Sequence, residues 1–342
     1  MDLDQLLKQL QTWTNKVPLI ILGSGASVPF RLPSMWTLGD HIKTSISFTD
    51  PEDQAQFVKF KTLFDINGDL EATLSALPLR PNVLNQIVCK TWDLVNDADI
   101  RAYEGFIDNS NDFPLAKLMK YLLDTAENKL SVVTTNYDRL GEYAASLADA
   151  TICTGYSQNF IGHFSSNIHK NNLTKLQGYN GQVNIWKVHG SLDWFKTQNE
   201  ENIQLPLRHT IPNNCKPSIV TPGISKYYET HNEPYRTILT QADSEIEAAN
   251  SFLCIGYGFN DEHVQPKLIN QIKNRHKPII VLTKELTPKT KQAIINNKCK
   301  NYILMEEKNG TDTQVYSSNL GEHVIPNVSY WLLSEFLNLI IS

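Results

Sequence analysis

The sequence lacks the features that define several large classes of protein. Its five cysteines (Cys89, Cys153, Cys215, Cys254 and Cys299) are odd in number and form no C-x-x-C pair. This pattern argues against a disulfide framework and against a structural zinc site. No apolar run approaches the roughly 20 residues that a membrane-spanning helix needs. We therefore expect a reduced protein that holds no metal and does not cross a membrane.

Excess positive charge is also missing. The formal net charge is -5 and the calculated pI is about 6.0. The chain as a whole is therefore not attracted electrostatically to nucleic acid or to an anionic membrane surface. Its first residues, Met1 to Asp4, carry acid where a signal peptide carries positive charge. We expect a cytoplasmic protein with no direct nucleic-acid partner.

Short apolar runs of the strand type alternate along the chain with segments of helical periodicity. The 342 residues, 41% of them hydrophobic, can bury a large core as one large α/β domain or two smaller ones. The alternation predicts a doubly wound, mostly parallel, Rossmann-like sheet. The predicted strands are Pro18–Leu22, Leu130–Thr134, Ala150–Cys153, Val183–Val188, Ser218–Gly223, Ser251–Ile255 and Pro278–Leu282.

A long, mainly helical stretch separates the first two predicted strands. We interpret residues 37–128 as a helical insertion in a Rossmann-like domain made of residues 1–36 and 129–342. The polar segment 167–180 is predicted to be a loop. The apolar tail, Tyr330–Ile341, is predicted to be a helix that lies either in the core or at a subunit contact. Other predicted helices are Leu3–Trp13, Ala55–Phe64, Leu70–Leu77, Val83–Val95, Leu115–Ala126, Leu140–Leu147, Tyr235–Asn250 and Val264–Asn274.

Four short motifs each follow one of the predicted strands. They are Gly23–Ser27, Thr134–Asp138, Lys187–Ser191 and Gly256–Asp261. Parallel strands place the loops at their carboxyl ends along one edge of the sheet, where open α/β sheets bind ligands. The motifs are therefore expected to meet in one crevice.

The glycine motifs indicate a nucleotide. Gly23 and Gly25 would let the backbone turn tightly and approach a pyrophosphate at the start of a helix, although such a turn also serves plain structure. The third glycine and the acidic residue of a dehydrogenase fingerprint are missing. The Gly256–Gly258 turn is a second close-approach loop, and two such turns suit a dinucleotide. Glu285, after the strand at Pro278–Leu282, is a candidate ribose or adenine contact.

Three polar side chains are candidates for chemistry or positioning. The Asn136 amide can bond sugar hydroxyls, and Asp138 is equally suited to capping a helix. His189 ends a strand, and histidine is the usual general base, although many histidines are only structural. Lys187, on the same strand face as His189, is a candidate for positioning an anionic substrate.

Together these motifs resemble those of the sirtuin superfamily, over roughly Pro18 to Glu285. Gly23–Ser27 resembles the family's G-A-G-x-S loop, Thr134–Asp138 its T-Q-N-x-D motif, and Val188–Ser191 its x-H-G-S motif, in the same order. The resemblance implies that NAD is the ligand and that Asn136 and His189 are site residues.

The departures from this pattern matter as much. Protein-deacylating sirtuins carry a four-cysteine zinc module after H-G-S, whereas Phe195–Lys216 contains only Cys215. Their P-D-F-R loop is replaced by Pro33–Trp36, and their glutamine by Thr135. The sequence is closer to the bacterial sirtuin-like branch with T-T-N-Y-D and G-Y-G-F-x-D motifs, whose members hydrolyse NAD in antiphage defence, some with a separately encoded ATPase or Argonaute partner.

The resemblance therefore implies an NAD glycohydrolase that requires no metal. Such an enzyme must be held inactive until it is triggered, and the expected switch is homo-oligomer assembly or a partner. The alternatives are a non-catalytic NAD or ADP-ribose binding subunit, and an NAD-dependent deacylase or ADP-ribosyltransferase. The expected catalytic residues are Asn136 and His189, and the expected NAD contacts are Gly23, Ser24, Gly25, Ala26, Ser27, Thr135, Asp138, Gly256, Tyr257, Gly258 and Glu285.

Overall fold

A computed structural model describes residues 3–109, 113–124, 128–167, 177–220, 232–261 and 264–341. The strands form one nine-stranded sheet and one four-stranded sheet. The strands are β1 (Leu19–Leu22), β2 (Lys129–Thr134), β3 (Ala150–Cys153), β4 (Gly162–His163), β5 (Gly181–Lys187), β6 (Gly190–Thr197), β7 (Asn202–Gln204), β8 (Cys215–Ile219), β9 (Phe252–Ile255), β10 (Ile279–Leu282), β11 (Tyr302–Lys308), β12 (Asp312–Ser317) and β13 (Gly321–Ile325).

The large sheet has the order β13-β12-β11-β10-β9-β1-β2-β5-β3. All pairings from β11 to β3 are parallel, and the β11–β12 and β12–β13 pairings are antiparallel. From β1 the chain first builds toward β2, β5 and β3, and then returns to build β9 to β11 on the other side. The predicted doubly wound, mostly parallel α/β fold is confirmed.

Alternate residues of each central strand face opposite layers of helices, as a sheet buried on both faces requires. In β1, Ile20 and Leu22 belong to one hydrophobic core, and Leu19 and Ile21 belong to another. The described helices of eight or more residues are α1 (Leu3–Thr14), α2 (Met35–Ser45), α3 (Pro51–Asn67), α5 (Pro81–Asp108), α6 (Pro114–Leu123), α7 (Leu140–Leu147), α8 (Tyr235–Ala248), α9 (Gln265–Asn274) and α11 (Leu333–Ile341), and the shorter ones are α4 (Leu70–Ala76) and α10 (Pro288–Lys291).

The stretch between β1 and β2 is helical, as expected, and includes α2, which the sequence analysis missed. Helices α2 to α5 pack on one another, whereas α6 packs on β2, α7 and α11. Ser34 caps α2 by accepting a hydrogen bond from the backbone N–H of Thr37, at 3.2 Å. The division at residues 37 and 128 into insertion and main domain stays a prediction.

Several expectations differ from the structure in detail. The glycine loop is followed by two short 3-10 turns, Ser24–Ala26 and Val28–Phe30, rather than directly by an α-helix. Pro29 and Pro33 lie in this segment, and proline cannot donate the backbone bonds that continue a helix. The tail helix, predicted from Tyr330, begins at Leu333 and buries Phe336 and Ile340 in the core.

Some expectations fall partly outside the described residues: most of the polar segment 167–180, the end of helix 115–126, and residues 221–223 of the strand predicted at 218–223. The antiparallel sheet, ordered β4-β7-β6-β8, was not predicted. Among the described helices, none is both long and apolar enough to cross a membrane.

Candidate functional site

The four sequence motifs line one cleft at the carboxyl ends of β1, β2, β5 and β9. Ser24, Asn136, His189 and Tyr257 each represent one motif among the lining residues. The switch in winding direction lies between β1 and β9, and open α/β sheets bind ligands at such a point. The lining residues within the described part of the chain are Gly23, Ser24, Ser27, Leu32, Pro33, Met35, Leu38, Glu71, Val95, Thr135, Asn136, Tyr137, Asp138, His189, Tyr257, Gly258, Asn260 and Asp261.

The two glycine loops pack directly against each other. The Gly23 N–H donates to Ile255 O at 3.1 Å, and the Gly25 N–H donates to Gly256 O at 3.0 Å. A Cβ at Gly23 would lie 2.4 Å from Gly256 O, and one at Gly256 would lie 2.2 Å from Ala26 N. Gly256 also has a φ of +58°, in the left-handed region. These glycines therefore primarily allow the two loops to pack against each other.

The loop after β2 is bonded to the glycine loop through Asn136. Its Nδ2 donates to Gly23 O at 2.9 Å and to Ser27 Oγ at 3.1 Å. Its backbone N–H donates to Thr134 Oγ1 at 3.0 Å. Because both amide hydrogens are engaged within the protein, the side-chain oxygen is the atom that can accept a hydrogen bond from a ligand.

Asp138 stabilises the contact between the glycine loop and the loop after β2. Its Oδ2 accepts from Ser27 Oγ at 2.7 Å, and its Oδ1 accepts from the Leu140 N–H at 3.2 Å, at the start of α7. Burial raises the pKa of the Asp138 carboxyl, and the ammonium of Lys187 opposes that rise. The Ser27 hydroxyl donates to a carboxylate and is buried, whereas Ser24 is exposed in the cleft. Ser24 is thus the better placed of the two to donate to a ligand.

Lys187 does not position an anionic substrate, contrary to expectation. Its side chain is 0% exposed, and its ammonium donates to Asp138 O and, at 3.0 Å, to Glu142 Oε1. Burial raises the pKa of Glu142 to about 7, with the Lys187 charge acting in the opposite direction. The lysine supports the Asp138 backbone instead of reaching the cleft.

A buried ion pair joins the helices to the same loop. Arg139 and Asp99, which is on α5, approach to 2.6 Å, and the Arg139 backbone N–H donates to Asp99 Oδ1 at 2.7 Å. Tyr143 and Asn96 complete this network by bonding to the carboxylate and to the guanidinium, respectively. Removing one member of such a buried pair typically costs about 3–5 kcal/mol. The position of Asp138 thus depends on α5.

His189 lies between β5 and β6 and lines the cleft while being 7% exposed. Its carbonyl accepts from the Val220 N–H at 2.8 Å, so the strand ladder of the small sheet continues to this residue. Its Nε2 lies 3.0 Å from Asp261 Oδ2. Asp261 lies within the fourth motif but was not predicted to be a site residue. Its position after another strand of the same sheet was the feature that could have indicated this role.

Glu71 is a second lining residue that the sequence analysis missed. It lies in α4, and Leu38 of α2 and Val95 of α5 also line the cleft. The negative charge of Glu71 contributes to raising the pKa of Tyr137, after the larger effect of burial. A carboxylate from the helical stretch thus faces the polar end of the cleft. No spacing rule within the motifs could identify it.

A second, largely apolar cavity lies on the other side of the glycine loop. Gly25, Ala26 and Gly256 line it, and Ser27 and Asp138 line both cavities. Tyr257 and Gly258, which were expected to contact NAD together with Gly256, line the first cleft and not this cavity. Glu285 is exposed and lines neither cavity. The remaining lining is Leu22, Val28, Pro29, Phe30, Pro114, Leu115, Leu140, Ile255, Leu282, Thr283, Lys284, Trp331, Leu332, Leu333 and Ser334.

Within the described ranges, no group of three or more His, Cys, Asp or Glu side chains is arranged to hold a metal ion. All five cysteines are free thiols.

Comparisons with known proteins give one family model and a set of similar solved structures. The model of the SIR2-like domain matches residues 130–303. Solved structures similar to the chain include a Sir2 homologue in complex with NAD, with 14% identity, a TM-score of 0.45, and coverage of 90% of this chain and 89% of the other. A mutant Sir2 homologue with ADP ribose has 16% identity, a TM-score of 0.46, and coverage of 85% and 88%.

A triple mutant of a Sir2 homologue with 2'-O-acetyl ADP ribose has 16% identity and a TM-score of 0.46, and covers 91% of this chain and 92% of the other. The search of curated proteins gives no match. Since the family model spans half of the sequence and includes three of the four motifs in full, the chain belongs to the SIR2-like domain family.

Proposed function

We propose that the protein is an NAD+ glycohydrolase, which uses water to cleave the bond between nicotinamide and ribose. The observation that carries this proposal is that Asn136 and His189 line one polar cleft beside the Gly23–Ser27 loop. Membership of the SIR2-like family supports NAD as the substrate. A site that only binds NAD does not need both an oriented amide and an imidazole, whereas a site that cleaves a bond does.

The two cavities suit the two halves of a dinucleotide. The pyrophosphate would lie on the glycine loop, where Ser24 is exposed, and Ser27 and Asp138 support the loop from between the cavities. The apolar cavity, with Phe30 and Trp331, suits an adenine base, because ligand pockets combine apolar walls with a few polar groups. The nicotinamide ribose would then lie in the polar cleft.

Asn136 would hold the reacting ribose or the attacking water. Its Oδ1 accepts from a hydroxyl, while its Nδ2 stays bonded to Gly23 O and Ser27 Oγ. As the glycosidic bond breaks, its electron pair leaves with nicotinamide, and positive charge develops on the ribose ring. A water oxygen bonds to the ribose carbon, and the products are neutral nicotinamide and ADP-ribose.

His189 would bind the ribose hydroxyls and accept the proton that the attacking water releases. Its place at the end of β5 fixes the imidazole at the cleft, and histidine changes protonation near neutral pH. A positioned general base of this kind typically contributes about 100-fold to 10,000-fold to the rate. Asp138 supports the loop through Ser27 and takes no part in the reaction.

Two other functions use the same cleft. A non-catalytic NAD or ADP-ribose binding subunit would use the glycine loop without needing both Asn136 and His189. An NAD-dependent deacylase or ADP-ribosyltransferase would pass the ribose to an acceptor other than water. Assays that include an acetyl-lysine peptide and a protein acceptor distinguish these reactions from hydrolysis.

The proposal extends to the cell as an antiphage effector that depletes NAD. Such an enzyme harms its host unless it is held inactive, so its activity would depend on homo-oligomer assembly or on a separately encoded partner of the ATPase or Argonaute type. This role predicts that the cellular NAD level falls after phage infection and that the fall requires Asn136. An unchanged NAD level in infected cells would contradict this role.

The direct test follows free nicotinamide after the purified protein, with and without the product of the neighbouring gene, is mixed with NAD. Asn136→Ala and His189→Ala are each expected to lower turnover at least about 100-fold. Asn274→Ala and His163→Ala, at exposed positions outside the cleft, serve as matched controls and should retain turnover. The proposal fails if no assembly state releases nicotinamide, or if Asn136→Ala is as active as the unaltered protein.

A further inference from the structure

Asp261 and His189 form a close pair that joins two motifs. Asp261 Oδ2 lies 3.0 Å from His189 Nε2, and the two side chains are 7% and 9% exposed. The other carboxylate oxygen, Oδ1, accepts from the Val264 N–H at 2.9 Å. The Asp261 carbonyl accepts from the Gln265 N–H at 3.2 Å, at the first residue of α9. One oxygen is thus anchored to the backbone, which directs the other at the imidazole.

A buried carboxylate at this distance favours the ring tautomer that carries a proton on Nε2, because its negative charge attracts a proton at that nitrogen and repels a lone pair there. A fixed tautomer suits a residue that must accept a proton during a reaction.

Among the described residues, the other titratable side chains of the cleft lining are Glu71, Tyr137, Asp138 and Tyr257. Burial raises the pKa values of Tyr137 and Tyr257, so both phenols stay neutral around pH 7. The Asp138 carboxylate accepts from Ser27 and from the Leu140 N–H. Glu71 reaches the cleft from α4, on the helical side. Among these described carboxylates, Asp261 is the one whose oxygen lies within 4 Å of His189 Nε2, at 3.0 Å.

We infer that Asp261 is a positioning residue that fixes the tautomer and orientation of His189. The catalytic part of this inference rests on the proposed NAD hydrolysis, whereas the tautomer does not. The second glycine motif thereby has two roles: Gly256 packs against the first loop, and Asp261, five residues later, controls the imidazole.

Asp261→Asn tests the inference while leaving the local backbone contacts in place. Asparagine accepts from a helix-start N–H as well as aspartate does. With its oxygen on the Val264 N–H, its NH2 group takes the place of Oδ2 and faces His189 Nε2. A donor at that position forces Nε2 to become an acceptor and reverses the tautomer, as the equivalent substitution does in the serine-protease triad.

Turnover should fall at least about 100-fold in Asp261→Asn, mainly in kcat, because the base is in the wrong tautomer. The matched control is Asp50→Asn. Asp50 also bonds backbone N–H groups with one oxygen, at the start of α3, outside the cleft.

Imidazole ¹⁵N resonances give a readout that needs no turnover. The chain has nine histidines, and the His189 signals are assigned by their loss in His189→Gln. The unaltered protein should show the Nε2–H tautomer, and Asp261→Asn should show the Nδ1–H tautomer. An unchanged tautomer in Asp261→Asn would overturn the inference. A changed tautomer in a protein that never releases nicotinamide would refute the hydrolase proposal alone.

Discussion

Replacing Gly256 by alanine tests whether the two glycine loops are held together by direct backbone packing. At this position a Cβ would lie 2.2 Å from Ala26 N and 2.3 Å from the carbonyl carbon of Gly25. The φ of +58° adds a strain of about 1–2 kcal/mol for any residue with a Cβ. Because the neighbouring atoms are backbone, relief of the overlap requires one loop to move, at a further cost of about 1–3 kcal/mol.

Gly68→Ala separates these two contributions. Gly68 has a φ of +62°, close to that of Gly256, but a Cβ there would meet no atom within 4 Å. It should therefore lose about 1–2 kcal/mol from backbone strain alone. Urea unfolding followed by tryptophan fluorescence gives the free energy of unfolding of each variant. Equal losses in Gly256→Ala and Gly68→Ala would refute the packing argument.

Two further predictions concern the buried and lining carboxylates. Burial raises the pKa of Glu142 to about 7, so protonation of this carboxyl stabilises the folded state. Its contribution to the free energy of unfolding is complete below the unfolded pKa near 4.5 and is lost as the pH rises to about 7. Glu142→Gln should remove this part of the pH dependence in urea unfolding at several pH values, and an unchanged dependence of the free energy of unfolding on pH between 4.5 and about 7 would contradict the prediction. Glu71→Gln should lower kcat for NAD hydrolysis about 10-fold, since Glu71 places a negative charge in the cleft where positive charge develops on the ribose. Glu52→Gln, on the exposed face of α3, is its control in the nicotinamide assay, and equal rates in the two variants would show that Glu71 has no such role.

The sequence predicts the parallel part of the fold well because its strands are short, continuous apolar runs. Leu19–Leu22 and Ile279–Leu282 are buried throughout, and both were found within one or two residues of their observed ends. The β12 and β13 strands were missed, because their polar and charged residues do not form such runs. The β11 strand begins with the apolar run Tyr302–Met305, which was overlooked. Helix α2 was missed because the motif Pro33–Trp36 was interpreted only as a loop.

The cleft was predicted in outline but not in its internal contacts. Motif order brings Asn136, His189 and the glycine loops to one edge of the sheet, and the structure brings them together there. Glu71 was not predictable, because no local pattern reveals which residue of a helical stretch will face a distant loop. The burial of Lys187 was not predictable either. Strand alternation indicates which face of the sheet a side chain lies on, but it does not reveal that Glu142 accepts a hydrogen bond from this lysine.

The bonds that hold the glycine loop also have a consequence for ligand affinity. The Asn136 amide donates to Gly23 O and Ser27 Oγ, and the Gly25 N–H donates to Gly256 O, so bonds within the protein fix the shape of the loop. The proposed dinucleotide would therefore meet a surface whose shape does not have to be created on arrival, and little conformational entropy would be lost there on binding. Substitutions that loosen the loop would weaken affinity even where they remove no atom that touches the ligand.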